Sequence, residues 1–381
     1  MATTHVLIVD DNTFKYHLEY MFIGTGSKDN DYLFNNPEVK EKPTTERLMI
    51  SMLSDLNRVK IGDYVIFYLQ QKDDREGRFY GIFKISSIPF IDAKGEYLFN
   101  YLNKKLTFRA LIEPYEIYAE GVTEWEALDD IKNIQSPCQM LWSLIYRKLK
   151  GNRGNTMITI YETERLFSLI RNKNNNNFLD NNSGFSFDRG NIVNSKAKKY
   201  LGKKESINII DRLLYKYNKK QAFEVHLQSY ILQKFNDDNF LSCIMSKEYY
   251  ENYIVEWIGN EVSCGVGMQR IDIMISLINK SDNTKRVIMP IELKDEEIDC
   301  EKITKQLERY INWISQYYIP NRISSIKPVI IGKHMKNDDK LNKLLNVLKK
   351  FNETTDNNCY NVVYIEFIIN NNEIIFKEVE Y

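Results

Sequence analysis

The sequence predicts two domains of mixed α/β class. The first is a small, strongly curved β-rich domain with helices; the second is an α/β domain, a central mixed sheet flanked by helices. Three observations carry this. Short β-rich runs separated by turns crowd residues 1–125. An aperiodic, Asn-rich interval, NKNNNNFLDNNSG, begins at Asn172. From about residue 206 onward, helical and strand patterns alternate to the end.

In chain order, residues 5–9 (HVLIV) read as a buried strand and residues 45–59 as a helix. Ile61-Gly62-Asp63 is a turn before the continuous β run of residues 64–69. Residues 78–92 form a second strand with Gly81 inside it, where a strand glycine marks a bulge or a close approach. Residues 106–118 are a third. Met140, Leu141, Leu144, Ile145 and Leu149 then recur at helical spacing, and Gly151 ends that helix. Thr159 and Glu162 make a capping box for the next one. These features divide the chain into residues 1–130, a basic helical segment 131–172, an Asn-rich linker 173–205 and a domain 206–381.

Composition narrows the class. Hydrophobic residues make up 43%, enough for a real core. Lys+Arg and Asp+Glu balance at 52 each, so any nucleic-acid binding must come from local patches. The five cysteines form no CxxC pair, which argues against a disulfide scaffold and a Cys-ligated zinc. No signal pattern and no apolar run near 18 residues stands out, so a soluble cytoplasmic protein without membrane contact is expected.

Chemistry gathers in IDIMISLINKSDNTKRVIMPIELKDE, residues 271–296. Two apolar strands flank a polar turn. A five-residue loop, Lys280 to Thr284, pairs Asn279 with Lys285. Asp272 then falls opposite Glu292, and Arg270 opposite Lys294, so both carboxylates share a face with Lys294. Side-by-side carboxylates repel unless a cation lies between them. Oxygen ligands suit Mg²⁺, or Mn²⁺, with Lys294 positioned to orient water or stabilise developing charge. A bulge in the turn would shift this register by one and separate the pair.

These residues resemble the PD-(D/E)XK nuclease core. Glu224 in FEVHLQSYI, Asp272 in RID and Glu292-Leu293-Lys294 in PIELK follow that family's order. Gln306 and Tyr310 in KQLERYINW match the QxxxY helix of its RecB-like branch, which includes NucS-type DNA endonucleases. The likeness covers about residues 206–335 and departs in lacking the usual proline-aspartate pair. It implies a restriction-endonuclease-like fold, with Asp272, Glu292 and Glu224 as metal ligands and Lys294, Gln306 and Tyr310 as further site residues. An ExK tripeptide alone is weak evidence: Glu38-Val39-Lys40 is a decoy in a Pro-flanked polar stretch. The competing reading is an ion pair at strand ends, with Tyr310 as ordinary packing and His226 a core or surface residue.

Residues 1–125 resemble the EVE/PUA-like family through GDYVIFY, GIFKI and FRALIEP. That resemblance implies a β-barrel-type α+β domain holding a flipped, often modified, base between aromatics. Tyr64, Phe67, Tyr68, Phe79 and Tyr80 are the pocket candidates, with Phe83, Trp125 and the stretch Asn12 to Phe14 behind them. Core packing competes at each. Arg147, Lys148, Lys150 and Arg153 cluster in YRKLKGNRGN and could track phosphates, as could Arg270. Gly265 and Gly267 would let backbone approach a phosphate.

The expectation is a Mg²⁺-dependent endonuclease acting on double-stranded DNA, a restriction enzyme with a companion DNA methyltransferase and a homodimeric assembly that cuts both strands. The alternatives are a repair or mismatch endonuclease and a non-catalytic reader of modified DNA or RNA.

Overall fold

The structure, a computed structural model, describes residues 2–26, 37–73, 75–92, 96–147, 154–235, 238–265, 269–319, 324–355 and 359–381, without the side chains of residues 146, 147, 238, 239 and 248. The chain divides into two units, Met1–Arg212 and Leu213–Tyr381.

In the first unit, β1 (Thr4–Val9) runs into α1 (Asp11–Tyr20), and β2 (Phe22–Thr25) returns. Then come α2 (Pro43–Asn57), β3 (Tyr64–Leu69), β4 (Arg78–Ile85), β5 (Phe90–Ile91), α3 (Phe99–Leu102), β6 (Phe108–Glu116), β7 (Val122–Thr123) and α4 (Glu124–Leu128). The unit closes with α5 (Trp142–Arg147), β8 (Asn155–Ile158), α6 (Ile160–Lys173), β9 (Gly184–Asp188) and β10 (Asn191–Ser195). The main sheet runs β2-β6-β4-β3-β1-β8. Only β1 and β3 pair parallel along that path. Both faces are covered. Val65, Phe67 and Leu69 of β3 enter one core cluster, and Ile66 and Tyr68 enter the other, the period-2 alternation of a strand. The sheet curls strongly: a Cβ on Gly154, just before β8, would stand 2.9 Å from Thr25 Cγ2 at the end of β2, the opposite edge. Gly81 takes φ +66°, and the ladder slips between Ile82 and Phe83, so the expected irregularity is present.

Several boundaries differ from expectation. The single strand 78–92 is two, β4 and β5, broken across residues 86–89. The helix expected from Met140 to Leu149 is preceded by a 3₁₀ turn, Pro137–Gln139, and is described as α5 up to Arg147; Leu149 and Gly151 lie outside the described residues. The segment 131–172 is not separate. Its β8 pairs with β1, and Leu166, Phe167 and Ile170 of α6 pack under the sheet. The stretch 173–205 is not a linker either. Its β9–β10 hairpin buries Phe185 and Ile192 completely. Asn174 bonds both backbone groups of Glu120 through its amide, at 3.0 Å each, which is how Asn substitutes for backbone partners in loops. Asn-richness reads as mobility in a sequence; here the asparagines satisfy turns.

In the second unit, α7 (Ile210–Asn218) spans the division. It is followed by α8 (Glu224–Lys234), α9 (Asp238–Ile244), α10 (Lys247–Asn252), β11 (Tyr253–Ser263), β12 (Arg270–Asn279) and β13 (Arg286–Lys294). Next come α11 (Cys300–Trp313) with a π-helical turn Ile314–Tyr318, β14 (Ser325–Ile326), β15 (Val329–Lys333), α12 (Asp338–Thr354), β16 (Val363–Asn370) and β17 (Glu373–Glu378). The sheet order is β11-β12-β13-β15-β16-β17, with β14 beside β13. β11, β12 and β13 are antiparallel, β13, β15 and β16 parallel. α8 and α11 both pack on β13, the strand buried on both faces. Among the described residues, no helix is long and apolar enough to cross a membrane.

Candidate active site

The β12–β13 ladder has the register set by its turn. Ile278 pairs with Arg286 and Ile273 with Ile291, and the Asn279 N–H donates to the Lys285 carbonyl at 3.0 Å. Continued one step, that register faces Asp272 with Glu292. There the backbone link gives way. Asp272 Oδ2 accepts the Leu293 N–H at 2.8 Å. The strands part at this point, and the carboxylates occupy the opening.

Glu292 is 2% exposed, and both its oxygens are engaged. Oε1 meets Lys294 Nζ at 2.5 Å; Oε2 lies 2.8 Å from the Tyr310 hydroxyl. That hydroxyl is also 2.9 Å from the Arg270 carbonyl, so its single proton serves one of two acceptors. Gln306, one turn earlier on α11, is half-buried, and its side chain makes no hydrogen bond among the described residues.

Glu224 opens α8. Its helix has Phe223 at the N-cap and no capping side chain of its own. Asp295, one residue past β13, supplies the cap: its Oδ2 accepts the Glu224 N–H at 2.8 Å and also the Phe223 N–H. One turn along, Gln228 Nε2 donates to the Asp272 carbonyl at 2.8 Å. So α8 is pinned at both sides of the carboxylates by residues that sequence reading missed. For Asp295 a signal existed, its position directly after Lys294. For Gln228 only the i+4 spacing from Glu224 hinted at it.

Charge is crowded here. Burial first, then Glu292 and Glu224, push the Asp272 carboxyl well above the usual carboxylate range, and the Leu293 N–H and Lys294 only partly offset this. Burial opposes the Lys294 charge, yet Glu292, Asp272 and Glu224 together hold its pKa above the ordinary value. Burial and the Glu292 charge raise the Tyr310 hydroxyl and push the buried Cys264 thiol up to about 12.

A hard divalent cation fits the chemistry of this donor set: three carboxylates, all oxygen, with excess negative charge. The arrangement is not a finished cage. Among the described residues, no three of His, Cys, Asp and Glu are grouped closely enough to hold an ion outright. An ion bound through Asp272 and one or two further carboxylates would complete its shell with water, the usual Mg²⁺ pattern.

Elsewhere the expected residues fare differently. Arg270 is paired with Glu261 at 2.6 Å. The Arg147 side chain, Lys148, Lys150, Arg153 and Gly267 lie outside the described residues. Gly265 takes φ +72° with open space around it. His226 is buried. Phe67, Tyr68, Phe79 and Tyr80 are fully buried and belong to the two core clusters, as does Phe83, so they pack the sheet and do not line an open base pocket. Both faces of the sheet are covered along β3, so there the alternation points into core on either side. Tyr64 is half-buried, with Phe167 edge-on to its ring at 5.2 Å. Phe14 is core, and Trp125 is exposed.

No protein-family model matches the sequence, and no curated protein matches it. Solved structures do. A hypothetical protein from Leishmania major is 9% identical with a TM-score of 0.32, covering 45% of this chain and 97% of its own. Human THYN1, solved in complex with 5-methylcytosine containing DNA, is 11% identical with a TM-score of 0.28, covering 44% and 96%. A Pseudomonas putida protein is 12% identical with a TM-score of 0.28, covering 44% and 98%.

Proposed function

We propose that the chain is a divalent-metal-dependent DNA endonuclease of the PD-(D/E)XK type, with its active site in the second unit. The observation that carries this reading is a buried Asp272 that feels the charges of Glu292 and Glu224, with Lys294 in ion contact with Glu292, at a point where two buried strands part. Burial and two neighbouring carboxylates oppose the Asp272 charge. Such conflict is the mark of a site arranged for a ligand.

In this reading, Asp272 with Glu292, Glu224 or both would hold the cation, water completing its shell. Those carboxylates would place a cation whose chemistry is to polarise a phosphoryl oxygen and make a bound water more acidic. Lys294, oriented by Glu292, stabilises the negative charge that develops as water attacks phosphorus. Tyr310 fixes Glu292, and Asp295 and Gln228 fix α8 and hence Glu224. The first unit is then the module that recognises a base or short sequence, of the EVE/PUA-like kind. A homodimer would supply two sites for a double-strand cut.

Plasmid DNA, unmodified, methylated or hydroxymethylated, is incubated with the full chain in Mg²⁺, Mn²⁺ or EDTA. Cleavage is expected only with metal. Asp272→Asn and Lys294→Ala should each lower it at least about 100-fold, the scale of losing an electrostatic catalytic group. Full activity in either variant, or cutting in EDTA, overturns the assignment. Metal-independent binding with no cutting points to a non-catalytic reader.

A further inference from the structure

A cavity of about 500 Å³ opens beside the carboxylate cluster. Its position follows from topology. β13 and β15 run parallel, paired through Lys294 and Gly332, and the chain leaves both at their carboxyl ends. These departures supply two walls, one carrying Asp295 and the other Lys333, His334 and Lys336; the end of α7, with Tyr217, and the turn after it, with Lys220, supply the third. Ligands of α/β sheets bind beyond the carboxyl ends of strands.

Asp295 ties the cavity to the candidate active site. The carboxylate in the cavity wall is the one that caps α8 at Glu224. The wall is mixed in charge: Asp295, Glu296 and Glu297 face lysines and one tyrosine. Lys333 Nζ lies over one face of the Tyr217 ring, 5.0 Å from its centre, so a base would stack on Tyr217 as that lysine turns to phosphate. Lys220 and Lys336 make no ion pair among the described residues, and both are exposed. His334 Nδ1 is 2.6 Å from Glu366 Oε2, which fixes the ring. An aromatic face for a base and cations for phosphate thus occur in a space suited to one small ligand.

We propose that this cavity is a subsite for one unpaired nucleotide of the substrate strand, next to the phosphodiester addressed by Asp272 and Glu292. The inference rests on the nuclease reading for what lies beside it. A base stacked and paired in a duplex cannot enter a cavity, so the strand must present a frayed or single-stranded nucleotide there. Tyr217 stacks on the base, and Lys333 and Lys336 contact phosphate.

The test is binding of a fluorescein-labelled single-stranded oligonucleotide to the full chain in EDTA, read by fluorescence anisotropy over a range of salt. Lys333→Ala with Lys336→Ala should weaken binding about tenfold and reduce the salt slope by about 1.4, the release expected for two single-strand phosphate contacts. Tyr217→Ala should weaken it about tenfold, and Tyr217→Phe should restore it. Neither change should matter for a blunt, fully paired duplex. Unchanged affinity in the folded variants, or equal losses on the blunt duplex, overturns the subsite. The two proposals fail separately. Metal-dependent cutting with variants that bind normally removes the subsite alone. Variant-sensitive binding with no cutting in any metal removes the nuclease reading and leaves a nucleotide site.

Discussion

Asp272 is the residue at which stability and function pull apart most visibly. Its Oδ2 takes a backbone N–H, which favours the charged form, yet burial and two neighbouring carboxylates oppose that charge more strongly. An Asn side chain keeps an oxygen for Leu293 and removes the repulsion. Asp272→Asn is therefore expected to stabilise the protein in EDTA, by about 1 kcal/mol, or roughly 2–4 °C in midpoint for a unit of this size. Differential scanning calorimetry of both forms in chelator checks this; an unchanged or lower midpoint would mean that Asp272 is a structural residue. Adding Mg²⁺ should raise the midpoint of the parent and not of the variant, since binding to the folded state alone stabilises it.

Helix caps separate local from remote control at the scale of elements. The box at the start of α6 is local. Thr159 Oγ1 accepts the Glu162 N–H at 3.2 Å, and Glu162 Oε2 accepts the Thr159 N–H at 2.8 Å. Three residues of sequence suffice to see it. Glu162 also takes the Ser143 N–H at 2.9 Å, so the cap ties α5 to α6. Thr159→Ala should cost about 1 kcal/mol, measurable as a lower urea midpoint at unchanged slope. α8 differs: its cap, Asp295, lies 71 residues along the chain from Glu224. No window around Phe223 reveals it. The same contrast explains β8, four residues that become a strand because β1 offers an open edge.

Across the whole first unit, two buried histidines set a pH limit. His17 is held near neutral form, its pKa lowered to about 4 by burial, with Nδ1–H donated to the Phe22 carbonyl at 2.9 Å. His5 is lowered as well, burial outweighing the Asp63 carboxylate at 2.8 Å. An unfolded histidine binds its proton near pH 6.5, so the unfolded state gains protons first as pH falls. Stability from His17 is complete above about pH 6.5 and lost between there and about pH 4, and His5 acts in the same direction. His17 alone accounts for about 3 kcal/mol of that loss. Urea unfolding from pH 7.5 to 4.5, followed by hydrogen exchange in peptides of the first unit, should show the fall. It should be shallower in His17→Gln, and equal slopes would assign the loss to other groups.

Much of the candidate site was legible because it is local. Two apolar strands and a five-residue turn determine a register, and register alone puts Asp272, Glu292 and Lys294 on one face. The apolar spacing of α11 likewise carries Tyr310 toward the sheet. Other features depend on partners distant in sequence, and only the tertiary structure decided them. A β-rich aromatic run such as residues 64–69 reads the same whether one face or both are covered; the fold covers both, and Phe67 and Tyr68 become core. An Asn-rich stretch reads as a linker until a hairpin closes over α1 and Phe185 finds a core to enter. The sequence by itself determined periodicity, turn length and capping, which act within a few residues. Burial, strand neighbours and the cap that holds Glu224 arise between residues far apart, and their energies exist only once the chain has closed those loops.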